Sequence, residues 1–181
     1  NLKLRGSWGK SGNLAGGAYQ YLSGYTLYGN SYAFGTGAMV QGSYVDNENN
    51  PDITWEISTK TNLGFDASFW KDLLSIEFDY FFEKRTGMLL NPSITVPYEY
   101  GIGLSQTNAG IMDNRGFELT LTTRKEFQNG LRLNISGNIS YAKNKLVQTF
   151  ETAATYNNPN RRRTGRALYT EFGYKALGFF S

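Results

Sequence analysis

Strict alternation of apolar and polar side chains is the strongest pattern in this sequence. From Ile53 to Phe69 every odd position is apolar or threonine, and every even position is polar or glycine. A period of two held over this length excludes a helix, in which residues two apart lie on nearly opposite faces. The sequence therefore predicts one long β-strand here, with an apolar face and a polar face.

Four further stretches alternate in the same way, and the polar faces carry Lys, Glu, Asp, Arg and Asn. Phe81 is the one large apolar side chain on a polar face. Each stretch is longer than the 5 to 6 residues of an average strand. The predicted strands lie near residues 2–10, 55–69, 73–86, 114–123 and 131–145.

The connections between these strands are of two kinds. Segments 70–72 and 124–130 are short, whereas segments 11–52, 87–113 and 146–181 are long and rich in Gly, Asn, Pro and Tyr. If consecutive strands are antiparallel neighbours, both short turns fall at one end of the sheet and all long loops at the other. That asymmetry is typical of outer-membrane barrels, whose spanning strands need about 9–11 residues.

We therefore predict an all-β fold, made of antiparallel strands of a large transmembrane β-barrel. A soluble β-sandwich is the alternative. Five strands cannot close a barrel, since the small closed membrane barrels have about 8, so we expect the chain to be part of something longer. The apolar face would meet lipid, and we expect arginine at Phe65 or Leu133 to cost about 2–4 kcal/mol if either lies near the bilayer midplane. Aromatic girdles would consist of Phe69 and Trp70 at one end and Trp8, Tyr80, Phe82 and Tyr141 at the other.

Composition excludes several classes of protein. Charged residues make up 18% of the chain, 21 residues are Gly, and mean hydropathy is −0.45 with no apolar run long enough for a membrane-spanning helix. The absence of Cys and His excludes disulfides, zinc clusters and imidazole catalysis within this chain. The net charge of +3 is mixed in sign along the strands, which disfavours nucleic-acid binding.

No enzyme is predicted. Glu77 and Asp79 alternate on one strand face and could imitate the carboxylate pair of a glycosidase. Their place in the register of a lumen-facing polar face explains them without catalysis.

Tyrosines in two of the long loops are the candidates for contact with a substrate or partner. A tyrosine offers a flat apolar ring and a hydroxyl, so spaced tyrosines can stack on sugar rings or bury against another protein. The alternative is that they pack the loops against one another. The candidates are Tyr19, Tyr21, Tyr25, Tyr28, Tyr32, Tyr98 and Tyr100.

Two charged stretches in the loops are candidate ligand sites. The stretch 46–52 places oxygen ligands at alternate positions, but Pro51 stands where a calcium loop has its turn glycine. We therefore favour a solvated turn and predict no cofactor, with calcium on the outer loops as the alternative. Arg161, Arg162 and Arg163 with Arg166 could pair with lipopolysaccharide phosphates or an anionic ligand. A solvated loop or ion pairs with neighbouring loops are the alternatives.

Several segments resemble, in order along the chain, the barrel of the SusC/RagA family of TonB-dependent outer-membrane transporters. The most specific are NPDITWEISTKTNLGFD at 50–66 and NAGIMDNRGFELTL at 108–121. LKLRGSWGKSGN at 2–13, DYFFEKRTGMLL at 79–90 and GYKALGFFS at 173–181 are similar to other segments of the family. The resemblance spans nearly the whole chain and places it in the C-terminal part of the barrel.

The resemblance implies a barrel of about 22 strands, of which this chain supplies about five. It implies active import of a large nutrient, a glycan or a peptide, across the outer membrane of a Gram-negative, Bacteroidetes-type bacterium. The TonB complex would supply energy through N-terminal parts outside this sequence, a SusD-like surface lipoprotein would cap the barrel, and outer-membrane lipid and lipopolysaccharide would surround it. A passive porin or adhesin barrel and a soluble carbohydrate-binding β-sandwich remain the alternatives.

Overall fold

A computed structural model describes residues 1–29, 32–35, 37–45, 48–92, 96–175 and 178, with the side chains of all of these except Phe34, Ala38 and Tyr98. Within these residues the chain forms nine strands, a 3-10 helix at Tyr98–Tyr100 and one short α-helix, α1, at Ala153–Tyr156. The strands are β1 (Leu2–Asn13), β2 (Tyr25–Leu27), β3 (Tyr32–Phe34), β4 (Ala38–Val40), β5 (Ser43–Val45), β6 (Glu56–Phe69), β7 (Leu74–Leu90), β8 (Thr107–Glu126) and β9 (Arg132–Gln148).

The five long strands form one antiparallel sheet in the order β1-β6-β7-β8-β9. Each strand pairs with the long strand that follows it in the chain, which confirms the all-β antiparallel prediction. The sheet is open at β1 and β9 within the described part of the chain. No second large sheet packs on it there, so the two-layer arrangement of a β-sandwich is not seen. No helix among the described residues is long and apolar enough to cross a bilayer.

The register of the strands separates an apolar face from a polar one. Directly opposed residues of neighbouring strands share a face, so cross-strand rows can be read from the pairing. The apolar side chains of β7 run from Leu74 to Phe82, nine positions, which matches the length of a tilted membrane-spanning strand. The central row of this face is Leu4, Phe65, Phe78, Leu119 and Ile139.

Side chains on this apolar face are widely exposed. Leu4 at the β1 edge is 77% exposed, and Ile139 on β9 is 64% exposed. Toward the middle the rings of Phe65 and Phe78 pack with centroids 5.5 Å apart. An apolar surface of this extent marks contact with lipid or with another protein, because its exposure to water is unfavourable.

The predicted loop boundaries are wrong at several places. β7 continues to Leu90 and β8 begins at Thr107, well inside the predicted loop 87–113. For β7 the cause is a β-bulge at Gly87, which has a φ of +67° and lies where the register shifts between Thr86 and Met88. A bulge inserts one residue, so the alternation changes phase and a strict period of two stops too early.

The other two long loops also differ from the prediction. β1 extends to Asn13, so the predicted loop 11–52 begins later, and within it β2 pairs with β5 and β3 with β4. β9 extends to Gln148, and α1 follows it inside the predicted loop 146–181. The glycines and asparagines that mark these segments as loops do not exclude short hairpins, whose turns use the same residues.

Both short turns lie at one end of the sheet, as predicted. In the first, Trp70, Lys71 and Asp72 all have positive φ values of 52°, 57° and 68°. That conformation costs about 1–2 kcal/mol for a residue other than glycine. The amide of Leu73 donates to the carbonyl of Trp70, 3.3 Å away, and the pairing of β6 with β7 holds the turn closed.

Candidate functional site

An ion-paired group lies on the polar face near the short-turn half of the sheet. The guanidinium of Arg5 on β1 contacts Asp66 on β6 and Asp79 on β7, each at 2.8 Å. Gly64 lies between them in the register, and a Cβ there would lie 2.8 Å from the carbonyl oxygen of Phe78. Asp79, one member of the pair that could imitate a glycosidase, is thus an ion-pair partner of Arg5.

Phe81, the apolar exception on the polar face, packs over a glycine of the next strand. A Cβ on Gly116 of β8 would lie 2.6 Å from Cζ of the Phe81 ring and would overlap the carbonyl oxygen of Tyr141. Gly116 itself is buried. The ring therefore occupies the space that a missing side chain leaves, which explains why an apolar residue sits among charged ones.

At the long-loop end, the Asn108 side chain fastens three segments together. Its Nδ2 donates to the carbonyls of Thr54 at 2.9 Å and Gly87 at 2.7 Å, and its Oδ1 accepts from the amide of Thr54 at 2.8 Å. The bulge at Gly87 is thereby tied to the segment that leads into β6. Nearby, the amide of Leu89 donates to the carboxylate of the buried residue Glu56 at 3.0 Å.

Replacing Asn108 by aspartate should loosen the long-loop end while the sheet stays folded. Aspartate keeps the acceptor but loses both Nδ2 donations, leaving two carbonyls unpaired at a cost of about 1–3 kcal/mol to local opening. Hydrogen exchange of the Thr54 and Leu89 amides in the full-length protein should rise about tenfold. Asn134→Asp, at an exposed position of β9, should leave these amides unchanged. Equal exchange in both variants would contradict the role given to Asn108.

A second amide network joins the first and second long loops. Nδ2 of Asn50 donates to the carbonyl of Gln106 at 2.6 Å, and Nε2 of Gln20 donates to Oε1 of Gln106 at 3.3 Å. The amide of Glu48 donates to the carbonyl of Gly103 at 2.8 Å, and the hydroxyl of Ser105 donates back to the carbonyl of Glu48. The two loops therefore form one body above the sheet.

This loop body encloses a cavity of about 410 Å³ whose lining is mainly polar. Oε1 of Gln20 is buried in the loop body without a hydrogen-bond partner, which is costly for an amide oxygen unless a donor is supplied. The lining carries neutral amides, hydroxyls, one carboxylate and a few apolar groups, a combination that suits a neutral polar ligand. Its residues are Gln20, Leu22, Gly24, Tyr25, Thr26, Glu48, Asn50, Asn91, Leu104, Ser105 and Gln106.

The candidate tyrosines do not converge on one site. Tyr25 lines the cavity and is 73% exposed, so its ring is available at the rim. Tyr28 instead stacks on Tyr44 with ring centroids 4.4 Å apart. The remaining candidates lie elsewhere on the loops: Tyr19 and Tyr21 with rings 6.5 Å apart, Tyr32 on β3, Tyr100 in the 3-10 helix, and Tyr98, whose side chain lies outside the described part of the structure.

Some residues of the two charged loop stretches make contacts within the loops themselves. In the stretch 46–52, Asp46 and Asn47 lie outside the described residues, and Oδ1 of Asn50 accepts from the amide of Asp52 at 3.0 Å, as in an Asx turn. In the arginine stretch, the guanidinium carbon of Arg162 lies 5.6 Å from the ring centroid of Tyr156. A turn therefore accounts for Asn50 and Asp52 in the first stretch, and a ring contact accounts for Arg162 in the second.

Glu151 anchors the arginine stretch. Partial burial raises its pKa, but the Thr164 hydroxyl, the amides of Arg163 and Thr164, and the charge of Arg162 outweigh burial and hold the pKa of Glu151 below its usual value of 4.5. A carboxylate with a lowered folded-state pKa stabilises the fold above its unfolded-state pKa, and the contribution disappears as pH falls through the folded-state value. The loop should therefore loosen only below about pH 4.5.

Replacing Glu151 by glutamine should expose the arginines to protease at neutral pH. The neutral amide accepts hydrogen bonds more weakly than the carboxylate, so the segment that contains Arg161, Arg163 and Arg166 should open more often. Trypsin should cut the full-length variant in this segment several-fold faster than the wild type. Glu171→Gln makes the same charge change at an exposed position and should leave the rate unchanged. No difference between the two variants would contradict the anchoring role.

Sequence reasoning missed the amides that shape the loop body. Gln20 and Gln106 carried no signal, since an isolated glutamine in a long loop is ordinary. Asn50 and Asn108 did carry one, because they begin the two segments that most resemble a known family. Their roles as clamps between loops required the pairing of segments far apart in sequence.

Comparison with known proteins gives consistent matches. The family described as TonB dependent receptor-like, beta-barrel matches residues 1–181. TonB-dependent receptor P26 of Formosa agariphila is 29% identical over 146 residues, covering 81% of this chain and 14% of the relative. TonB-dependent receptor SusC of Bacteroides thetaiotaomicron is 26% identical over 150 residues, covering 82% of this chain and 15% of the relative.

Among solved structures, the RagAB peptide importer in the closed-closed state aligns with a TM-score of 0.71 at 27% identity, over 92% of this chain and 18% of that one. The open-open state of the importer aligns with a TM-score of 0.70 at 26% identity, over 88% and 17%. The chain thus spans about a sixth of the length of the proteins that it matches.

Proposed function

We propose, since the chain belongs to the TonB-dependent receptor-like β-barrel family, that its sheet forms part of the wall of an outer-membrane transporter for a large nutrient. The observation that carries the proposal is the two-faced sheet. One face is apolar over nine positions of β7, the length of a membrane-spanning strand, and the other carries the ion-paired group of Arg5, Asp66 and Asp79. The apolar face suits lipid, and the face with the ion-paired group suits an aqueous lumen or an interior plug.

The orientation follows from the two kinds of connection. Short turns face the periplasm and long loops face the outside in barrels of this kind. The loop body with its 410 Å³ cavity would then stand at the extracellular mouth, where a substrate first meets the protein. Membership of the family supports transport driven through the TonB complex, in the outer membrane of a Gram-negative bacterium.

The substrate proposed is a glycan or a peptide. Both are polymers rich in neutral donors and acceptors, and the cavity offers amides from Gln20, Asn50 and Gln106 together with the ring of Tyr25. The unpartnered Oε1 of Gln20 would accept a donor from either class. The solved structure named as the RagAB peptide importer supports the peptide class.

A SusD-like lipoprotein is the proposed partner at the loops. The exposed tyrosines outside the cavity suit such a partner, because an aromatic ring with a hydroxyl buries area at low entropic cost. Tyr19 and Tyr21 form an exposed ring pair, and Tyr32 and Tyr100 are exposed on other segments. We propose that these four contact the partner and that Tyr25 contacts the substrate.

The test uses the full-length protein in cells that make it. It should fractionate with the outer membrane, require detergent for extraction, and support uptake of labelled glycan or peptide that stops when a protonophore removes the energy supply. Tyr25→Ala should lower uptake at limiting substrate several-fold, while Tyr169→Ala, at a highly exposed position outside the cavity, should not. Uptake that survives the protonophore would indicate a passive porin, and a detergent-free protein would indicate a soluble binding module.

A further inference from the structure

Cationic side chains lie on the apolar face of the sheet, immediately beyond its outermost wholly aromatic row. The register of β7, β8 and β9 defines three successive rows there, each about 7 Å from the next, since side chains on one face are two residues apart. The row nearest the membrane centre is aromatic, and the rings of Phe117 and Tyr141 lie 6.1 Å apart. The rows are Tyr80, Phe117 and Tyr141; then Phe82, Arg115 and Lys143; then Lys84, Asp113 and Lys145.

A cavity of about 630 Å³ opens beside these rows. Its far wall is the segment 165–170, which runs along the outer edge of β9. The amide of Gly165 donates to the carbonyl of Leu146 at 2.7 Å, and the amide of Leu146 donates to the carbonyl of Arg166 at 2.8 Å. Arg166 therefore faces the same cavity from the opposite side.

The positive charge at this cavity is poorly compensated. We call Arg115, Lys143, Lys145 and Arg166, which all line the cavity, the cationic cluster. Asp113 is the single carboxylate in the three rows, and its Oδ1 is buried without a hydrogen-bond partner. Among the described residues no salt bridge within 4.0 Å involves any member of the cationic cluster. Four cations beside an apolar surface, with a single carboxylate among them, form a site for an anion from outside.

We infer that the cationic cluster binds the phosphate of an outer-leaflet lipid headgroup, such as that of lipopolysaccharide. Arg115 offers a planar fork that matches phosphate oxygens, and lysines supply further charge. The inference rests on the proposed function, which places this face against lipid and the long loops outside. Arg161, Arg162 and Arg163 are not part of the site, because they do not line the cavity.

A lipid fits this site better than a soluble anion because of what lies beneath it. Tyrosine rings mark the headgroup level of a membrane, where an apolar body and a polar tip are both satisfied. The next rows down are apolar, with Phe78, Leu119 and Ile139, so acyl chains attached to the phosphate would continue along them. A substrate in the lumen would lie on the other face of the sheet and could not reach the cluster.

The test compares lipid retained by the full-length protein purified in detergent from its own outer membranes. Lys143→Gln/Lys145→Gln should lower bound lipid phosphate about tenfold, because two charge-assisted contacts are lost. Lys71→Gln/Lys125→Gln removes the same charge at the short-turn end and should match the wild type. Native mass spectrometry with added lipid A, with its dephosphorylated form, and with inorganic phosphate then identifies the group that is bound.

The outcomes separate this inference from the proposed function. Binding of phosphorylated but not dephosphorylated lipid, lost in the Lys143/Lys145 variant, supports the site. Equal retention by both variants, equal binding of the two lipids, or displacement of the lipid by inorganic phosphate at equal concentration would overturn it. In each of these cases the proposed function still stands if the protein fractionates with the outer membrane and transports its substrate. A protein absent from the outer membrane would contradict both the proposed function and the lipid site.

Discussion

Replacing Phe65 by arginine should lower the free energy of unfolding of the full-length protein by about 2–4 kcal/mol. Phe65 lies in the central row of the apolar face, with Leu4 and Phe78 directly opposite it on the neighbouring strands. The bilayer midplane crosses a spanning sheet at this level, where a guanidinium is least solvated. The loss is measured by urea unfolding of the protein folded into lipid vesicles, and should also appear as less folded protein in the outer membrane.

Leu133→Arg provides the control for depth. The sequence alone placed Leu133 and Phe65 in the same class, but the register puts Leu133 opposite Lys125, beyond the row of Leu74 and Ile135 and close to the short turns. Near the interface the same substitution should cost only about 0–1 kcal/mol. Equal costs for the two variants would contradict the placement of the apolar face across the membrane.

Gly116→Ala should destabilise the full-length protein by about 3 kcal/mol, at the upper end of the usual range for overpacking. The new Cβ would overlap the carbonyl oxygen of Tyr141 on β9 and would lie 2.6 Å from the Phe81 ring on β7. The ring can rotate away, but the carbonyl belongs to the paired backbone, so β8 and β9 would have to separate. The measurement is again unfolding by urea in vesicles.

A glycine on the adjacent strand gives the matched comparison. A Cβ at Gly137 would have no atom within 4 Å, and its φ lies outside the left-handed region. Gly137→Ala should therefore change stability by less than about 0.5 kcal/mol. If the two alanine variants unfold alike, the packing of Phe81 over Gly116 is not the constraint described above.

The five-stranded sheet was predictable because each of its strands has its own alternation of apolar and polar residues. Alternation from Ile53 to Phe69 fixes both the strand and its two faces, and the short segment 70–72 fixes the partner. The resemblance to the SusC/RagA family is likewise confirmed by the family match and by the relatives found. These features depend on residues close together in the chain, so they need no knowledge of the fold.

The ends of the strands and the loop body were not predictable in the same way. The bulge at Gly87 shifts the phase of the alternation, which hides the last residues of β7 from any test of period two. The clamp of Asn108 on Thr54 joins positions 54 residues apart, and the contact of Gln20 with Gln106 joins positions 86 apart. Amides make such contacts wherever the chain brings them together, so the sequence does not show which residue each of these amides contacts.

The cationic cluster illustrates the same limit for charge. Adjacent arginines at 161–163 attract attention in the sequence because they are contiguous. Arg115, Lys143 and Lys145 are spread over two strands and become neighbours only through the pairing of β8 with β9. The number of charges in one segment of the sequence is therefore a poor guide to the charge density on a sheet.

The pairing of each long strand with the next one in the chain has a consequence for how proteins of this design can diverge. Because the segment 14–55 leaves and re-enters the sheet between adjacent strands, its length does not affect the register of β1 with β6. Doubling such a segment adds only about 0.6 kcal/mol of loop-closure entropy. Insertions, deletions and wholesale exchange of the recognition surface can therefore accumulate over generations while the wall that carries them is inherited almost unchanged.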